Sequence, residues 1–394
     1  MPVPTAVSEK KRSPDSPQNS ARSYFPKKNV TVMSIITALM IIMNIAAWLI
    51  DGFADFYMEN VFHAISSFSA ITSAVPFSVG EVLIAIGILL ITVGLAAFII
   101  ALILLKDNKA GRARCARVMI LVYGWAIVYI LVTETMNCFV NYYTTEFSEK
   151  YHNSAGADGF TLEQLEELCR ISIEKANEYA ELVERDSEGS MVVPDKINDL
   201  AEEAMQALSE EYEPLSGAYP TPKKIRSSVL MTQFNLQGIY FPFTLEANYS
   251  SELMPARVPC TICHEMSHVK GFIREDEACF IAFRACESSD IPEMCYSGWI
   301  SAMNYLYSAV KSNADSSVTH ELYTLISDKV LADNQFVSEE FRETVEEKAV
   351  ISSETAAKVS DTAMDTTLKL NGVTDGKQSY GRMVDLLLEY YYSL

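Results

Sequence analysis

Residues 30–50 read Val-Thr-Val-Met-Ser-Ile-Ile-Thr-Ala-Leu-Met-Ile-Ile-Met-Asn-Ile-Ala-Ala-Trp-Leu-Ile, without a single charge. Asn44 is the only strongly polar side chain in that run. A bilayer's hydrocarbon core takes about 20 apolar residues in a helix, and a buried helix of a soluble domain rarely stays uncharged for so long. The stretch is therefore expected to span a membrane. Val82–Leu105 has the same character, and Val118–Val132 supplies a third, shorter run that ends in Thr133 and Glu134. The spans are placed at about 30–50, 82–105 and 116–135, which makes residues 30–135 a membrane domain.

Flanking charge orients the spans. Lys10, Lys11, Arg12, Arg22, Lys27 and Lys28 precede the first, and Lys106, Lys109, Arg112, Arg114 and Arg117 lie between the second and third. Loop 51–81 carries Asp51, Asp55, Glu59 and Glu81 and no Lys or Arg. Positive charge stays in the cytoplasm. The N-terminus is thus expected inside, with loop 51–81 and everything after residue 140 outside. Residues 1–29 read as a disordered cytoplasmic leader, too long and polar to head a removable signal peptide. Val61–Phe77, half apolar with interspersed Ser, reads as an interfacial segment.

The charge is split just as sharply. Residues 1–117 hold 11 Lys and Arg against 7 Asp and Glu, and the remainder 20 against 44, so the net charge of −20 belongs to the second part. Such an acidic body repels phosphate, which excludes a nucleic-acid partner. The apolar runs exclude an ordinary cytosolic enzyme.

Residues 140–394 read as one extracytoplasmic, mainly α domain. Thr161-Leu-Glu-Gln164 is a capping box, followed by Leu162, Leu165, Leu168 and Ile171 at helical spacing. A second amphipathic helix is expected over 196–212, and others at 258–270, 274–287, 293–312, 317–331, 338–350, 352–367 and 378–392. Ile239–Leu245 is the best strand, demoted to an edge by Pro242.

The chemistry centres on His264-Glu-Met-Ser-His268, which holds two of the chain's five histidines. Residues four apart share a helix face, so the two imidazoles can bind one zinc. Glu265 then sits where a general base works on a zinc-bound water. A catalytic zinc needs a third protein ligand. Arg274 occupies the position where the extended H-E-x-x-H-x-x-G motif of metzincins would need a third His. Gluzincin peptidases instead take a Glu from a second helix, four residues before an Asp or Asn; Glu275 holds that position relative to Cys279. Glu277 is the alternative. The two lie about 200° apart on a helix, so only one can face the metal. The face of Glu275 continues through small Ala278, Cys279, Ala282 and Cys286, which favours close approach and hence Glu275. Gly271 reads as a helix C-cap that lets the chain reverse. A competing signal overlaps: Cys260-Thr-Ile-Cys263-His264 matches the C-x-x-C-H haem-attachment pattern. All eight cysteines leave pairing open, six of them in the outside domain where disulfides are permitted.

Gly238-Ile-Tyr-Phe-Pro-Phe-Thr-Leu-Glu-Ala-Asn248, Pro259, His264 to Ala278 and Tyr296-Ser-Gly-Trp-Ile-Ser-Ala302 together resemble the bacterial family called domain of unknown function 3810. The resemblance implies a membrane-bound, zincin-like metallopeptidase with no assigned substrate. It implies His264, His268 and Glu275 as zinc ligands and Glu265 as base. This chain has Cys279 where the family usually has Asn. Zincins run a peptide along an edge strand above the metal helix, a role open to Ile239–Leu245. Tyr380, Arg382 and His320 are candidates to stabilise the oxyanion of the tetrahedral intermediate.

The resulting expectation is three transmembrane helices followed by a helical, gluzincin-type metallopeptidase domain with at most a small edge β element. It would use Zn²⁺ against a peptide or protein substrate, in contact with the lipid bilayer and without nucleic acid. The alternative is a non-catalytic extracytoplasmic interaction domain with a structural zinc, closed by Cys263 or Glu277 as fourth ligand. A c-type haem protein through Cys260, Cys263 and His264 stands behind it. The oligomeric state is not legible.

Overall fold

The computed structural model describes residues 26–152, 160–349, 351–370 and 382–392. Three long apolar helices come first: α1 (Lys27–Leu49), α2 (Val79–Leu104) and α3, whose helical core is Lys109–Asn137. Each is long and apolar enough to cross a membrane, and their apolar side chains are largely exposed, as lipid-facing surfaces are. Two boundaries differ from expectation. Lys27 and Lys28 already belong to α1, while the disorder expected for the rest of the leader lies outside the described residues. The basic segment between the second and third spans is mostly helix: Asn108 caps α3 by accepting from Gly111 N at 2.8 Å, so Arg112, Arg114 and Arg117 ride on the helix.

The remainder is also mainly helical, with one small sheet; over all the described residues, 74% are in helices. The order is α4 (Leu162–Ala180), α5 (Ile197–Ala207), β1 (Lys223–Ile225), α6 (Ser228–Gln233), β2 (Gly238–Phe241), β3 (Glu246–Ser250), α7 (Val258–Val269), α8 (Glu275–Glu287), α9 (Pro292–Asn313), α10 (Ser316–Leu325), α11 (Asp328–Asp333), α12 (Glu339–Lys348), α13 (Ser353–Leu370) and α14 (Arg382–Tyr392). The capping box at Thr161 forms as expected, with both reciprocal bonds present. The helix expected over 317–331 is two helices, because the Ser327 hydroxyl caps a new start and its N–H is taken by Asn177 Oδ1.

The sheet is richer than the single edge strand expected. It runs β1-β3-β2, with β1 parallel and β2 antiparallel to β3. β2 is the edge, but it stops at Phe241; Pro242 opens a turn that closes at Leu245 with φ 56°. α7 packs across β2 and β3, and α8 and α9 pack on α7.

This body is fastened to loop 51–81 and to the apolar helices. Tyr57 donates to Met136 O, Thr145 N–H and hydroxyl reach Asp55, and Lys150 pairs with Glu59 at 2.8 Å. Glu246 of β3 accepts from the amides of Val79 and Gly80, at 3.0 and 2.7 Å, where α2 begins and the helix dipole favours an anion. A Cβ on Gly80 would collide with the Phe241 ring, so glycine is what allows this contact. Loop 51–81 and the residues after α3 therefore lie at the same ends of the spans. One apolar core continues from Tyr57, Phe62 and Val140 through Phe147 to Phe280 and Tyr296.

Candidate metal centre

Helix α7 carries the H-E-x-x-H motif, and its end is a Schellman turn. Phe272 N–H bonds to Ser267 O, Gly271 N–H bonds to His268 O, and Gly271 has φ +97°. A Cβ there would also press on Phe62, 3.0 Å away. This turn has a chemical consequence. It brings Phe272 O to 2.7 Å from His268 Nδ1, so that nitrogen carries the proton and Nε2 keeps its lone pair. The same reversal starts α8 beside α7 and presents Glu275 to the imidazoles.

His264 Nε2 and His268 Nε2 lie 3.1 Å apart, and Glu275 Oε2 is 3.2 and 3.9 Å from them. Ligand atoms of the three residues fall within 4.8 Å of one another. The other nitrogen of His264 faces Cys279 Sγ at 3.5 Å, which in turn meets the Tyr305 hydroxyl at 3.1 Å. Cys279 thus places a polar partner behind the ring. Burial disfavours charge on both rings. At His264, Cys279 and Glu275 outweigh it and hold the pKa above its ordinary value, whereas at His268 burial wins and lowers it to about 4.

Glu265 lies on the side of α7 that meets β2. Burial pushes its carboxyl up to about 8, and its Oε2 is buried with no hydrogen-bond partner. A Cβ at Gly238 would collide with Glu265 Oε1, so glycine in the edge strand is what admits the carboxylate. Two bridging nitrogens with their far sides engaged, a converging carboxylate and an orphaned carboxylate oxygen next to them fit a zinc-type donor set.

Glu277 is directed elsewhere. It accepts from Phe147 N at 3.0 Å and pairs with Arg274 at 3.1 Å, wholly buried. From the first turn of α8 it tethers that helix to the segment after α3. Burial raises its carboxyl to about 7. Of the candidate oxyanion stabilisers, Arg382 engages Asp276 at 2.7 Å, and His320 is exposed on α10, outside the His264, His268 and Glu275 group. Tyr380 lies outside the described residues. The eight cysteines are unbridged. Cys260 and Cys263 face the core, where Cys260 N–H bonds to Ser297 Oγ and Cys263 Sγ sits 3.9 Å from Cys286 Sγ.

Three neighbours went unnoticed in the sequence. Tyr305 reaches the cluster through Cys279, and the Tyr240 ring lies 6.1 Å from that of His268. Tyr142 lines an open cleft of about 440 Å³ together with Glu275, Phe234, Leu236, Val359 and Met364. Only Tyr240 had a signal, its place in the Gly-Ile-Tyr-Phe strand.

The fold and site define a mainly helical protein with three apolar helices and a two-histidine, one-carboxylate cluster beside a small mixed sheet. The profile of the family described as protein of unknown function DUF3810 matches residues 57–388, and the chain belongs to that family. No curated protein and no solved structure matches it.

Proposed function

We propose that this protein is a membrane-anchored zinc metallopeptidase with its site on the extracytoplasmic side. The observation that carries the reading is the convergence of His264 Nε2, His268 Nε2 and a Glu275 carboxylate oxygen next to the buried, half-unpartnered Glu265. His264, His268 and Glu275 would hold the ion, and a bound zinc supplies Lewis acidity to a peptide carbonyl and to a water. Glu265 would take the water's proton at its unpartnered oxygen and return it to the leaving amine. Among the described residues β2 pairs only with β3, so its other edge can take an extended peptide alongside Glu265. That placement, an antiparallel edge strand packed on the motif helix, supports the peptidase reading.

Cys263 and Glu277, the residues that would close a structural zinc, are turned to Cys286 and to Phe147 and Arg274. This favours a site with an open position. Purified protein should hold about one zinc per chain, and Glu265→Gln should keep it while peptide turnover falls by about 10²–10⁴-fold. Zinc without turnover in either protein would support the structural role instead, and a haem absorption band surviving denaturation would remove both.

Orientation rests on the Lys and Arg asymmetry of the loops. A reporter active only outside the membrane should work when fused after residue 150 and fail when fused near Asn108. The opposite pattern would put the site in the cytoplasm.

A further inference from the structure

The cluster stands close above the end of the third span, and its height there is fixed. Asn137, last residue of α3, donates its amide to Pro242 O at 2.6 Å, and its carbonyl accepts from the Tyr240 hydroxyl at 3.1 Å. The Tyr240 ring is the one that lies 6.1 Å from the His268 ring. A single tyrosine side chain therefore bridges the span's end and the imidazoles. From Glu134, where the apolar run stops, to Asn137 the helix rises only about 5 Å. The β2–β3 turn reaches lower still: Tyr129, eight residues before Asn137 within α3, donates its hydroxyl to Phe243 O.

The surroundings match this height. Phe56, Phe68, Ile71 and Phe77 are all exposed on the loop that shares the site's side of the spans, as side chains at a lipid interface are. The cleft at Glu275 begins with Tyr142, five residues past α3, and its other walls are Phe234, Leu236, Val359, Ala363 and Met364, apolar but for Ser360. Glu246 and Asn137 bind the site's sheet directly to the second and third apolar helices.

We propose that the site acts on membrane-attached polypeptides, cutting an extended segment within about five to eight residues of the bilayer surface, at ~3.3 Å per residue. A large apolar side chain beside the scissile bond would occupy the Tyr142, Phe234, Leu236 and Met364 cleft. This rests on the peptidase reading and deepens it by naming the substrate class. A substrate free in solution gains nothing from a site held at this height, whereas a tethered one is presented to it at high effective concentration.

The test uses the purified, zinc-loaded full chain in liposomes. The probes are quenched fluorescent peptides with a Leu-Phe core, carrying a palmitoyl chain through four or thirty Gly/Ser residues, or no acyl chain. The four-residue tether should be cleaved at least tenfold faster than the thirty-residue one, and the free peptide slowest. Leu236→Arg, with zinc content unchanged, should slow the short-tether peptide at least tenfold. Glu265-dependent cleavage that favours the long tether or the free peptide would overturn the membrane-surface substrate and leave the peptidase reading standing. Full activity of Leu236→Arg would overturn the assignment of the cleft. Absence of Glu265-dependent cleavage with any probe would defeat the peptidase reading, and this proposal with it.

Discussion

Replacing Glu275 with Ala is expected to lower zinc affinity by about 10²-fold or more, because it removes one of three converging donors while both imidazoles stay oriented. The orientation survives because Phe272 O and Cys279 Sγ hold the far nitrogens independently of Glu275. Glu277→Ala should behave in the opposite way. Zinc should remain bound, since Glu277 faces about 200° away around α8. Stability should fall by about 2–4 kcal/mol, because the Phe147 N–H loses its acceptor and the Arg274 guanidinium loses its carboxylate. Part of the Arg274 charge stays satisfied by Tyr142 O and Thr144 O, which keeps the loss from being larger. Zinc titration and thermal unfolding of the two variants, measured side by side, separate these outcomes. Loss of zinc from Glu277→Ala with zinc retained in Glu275→Ala would mean that α8 is rotated and that the cluster is misassigned.

The second large effect is expected at Glu246. Its carboxylate meets Lys223 Nζ in a pair that is almost fully buried and also accepts from Val79 N, Gly80 N and the Thr244 hydroxyl. Glu246→Ala would strand the Lys223 ammonium in the interior, with Thr72 O its remaining acceptor among the described residues, and would leave the amides of Val79 and Gly80 at the start of α2 without their carboxylate. A cost of about 3–5 kcal/mol follows, since removing one member of a buried pair leaves the other uncompensated. Thermal unfolding in detergent measures it, and Lys223→Met combined with Glu246→Ala should recover part of the loss. An unchanged melting temperature in Glu246→Ala would show that the sheet is not anchored to the second span through this residue.

Much of the molecule was legible because it is written in local periodicity. Uncharged runs of more than twenty residues mark the first two apolar helices, and a shorter one over 118–133 marks the third. The capping box at Thr161 and the Gly271 turn were readable because each concerns backbone groups only a few residues apart. The choice of Glu275 over Glu277 was also local. Two residues on one helix cannot share a face, and the small side chains Ala278, Ala282 and Cys286 mark which face lies against α7.

What the tertiary structure alone decided involves residues with no sequence relation. β1 pairs in parallel with β3 across an intervening helix and strand, and a three-residue strand carries too little pattern to announce its partner. Tyr305 stands behind Cys279 from 26 residues away, and Tyr240 links Asn137 to His268 only because the sheet turn rests on α3. Arg382 meets Asp276 and Glu277 meets Phe147, partners that no spacing rule connects to them. The amino-acid sequence by itself determined the three apolar helices, the motif helix and the two-histidine register, because these depend on neighbours within one or two turns. The tether that Glu277 makes to Phe147, the polar groups behind the rings and the contacts of the sheet turn with α3 were decided only by packing, because each depends on which distant surface closes against it.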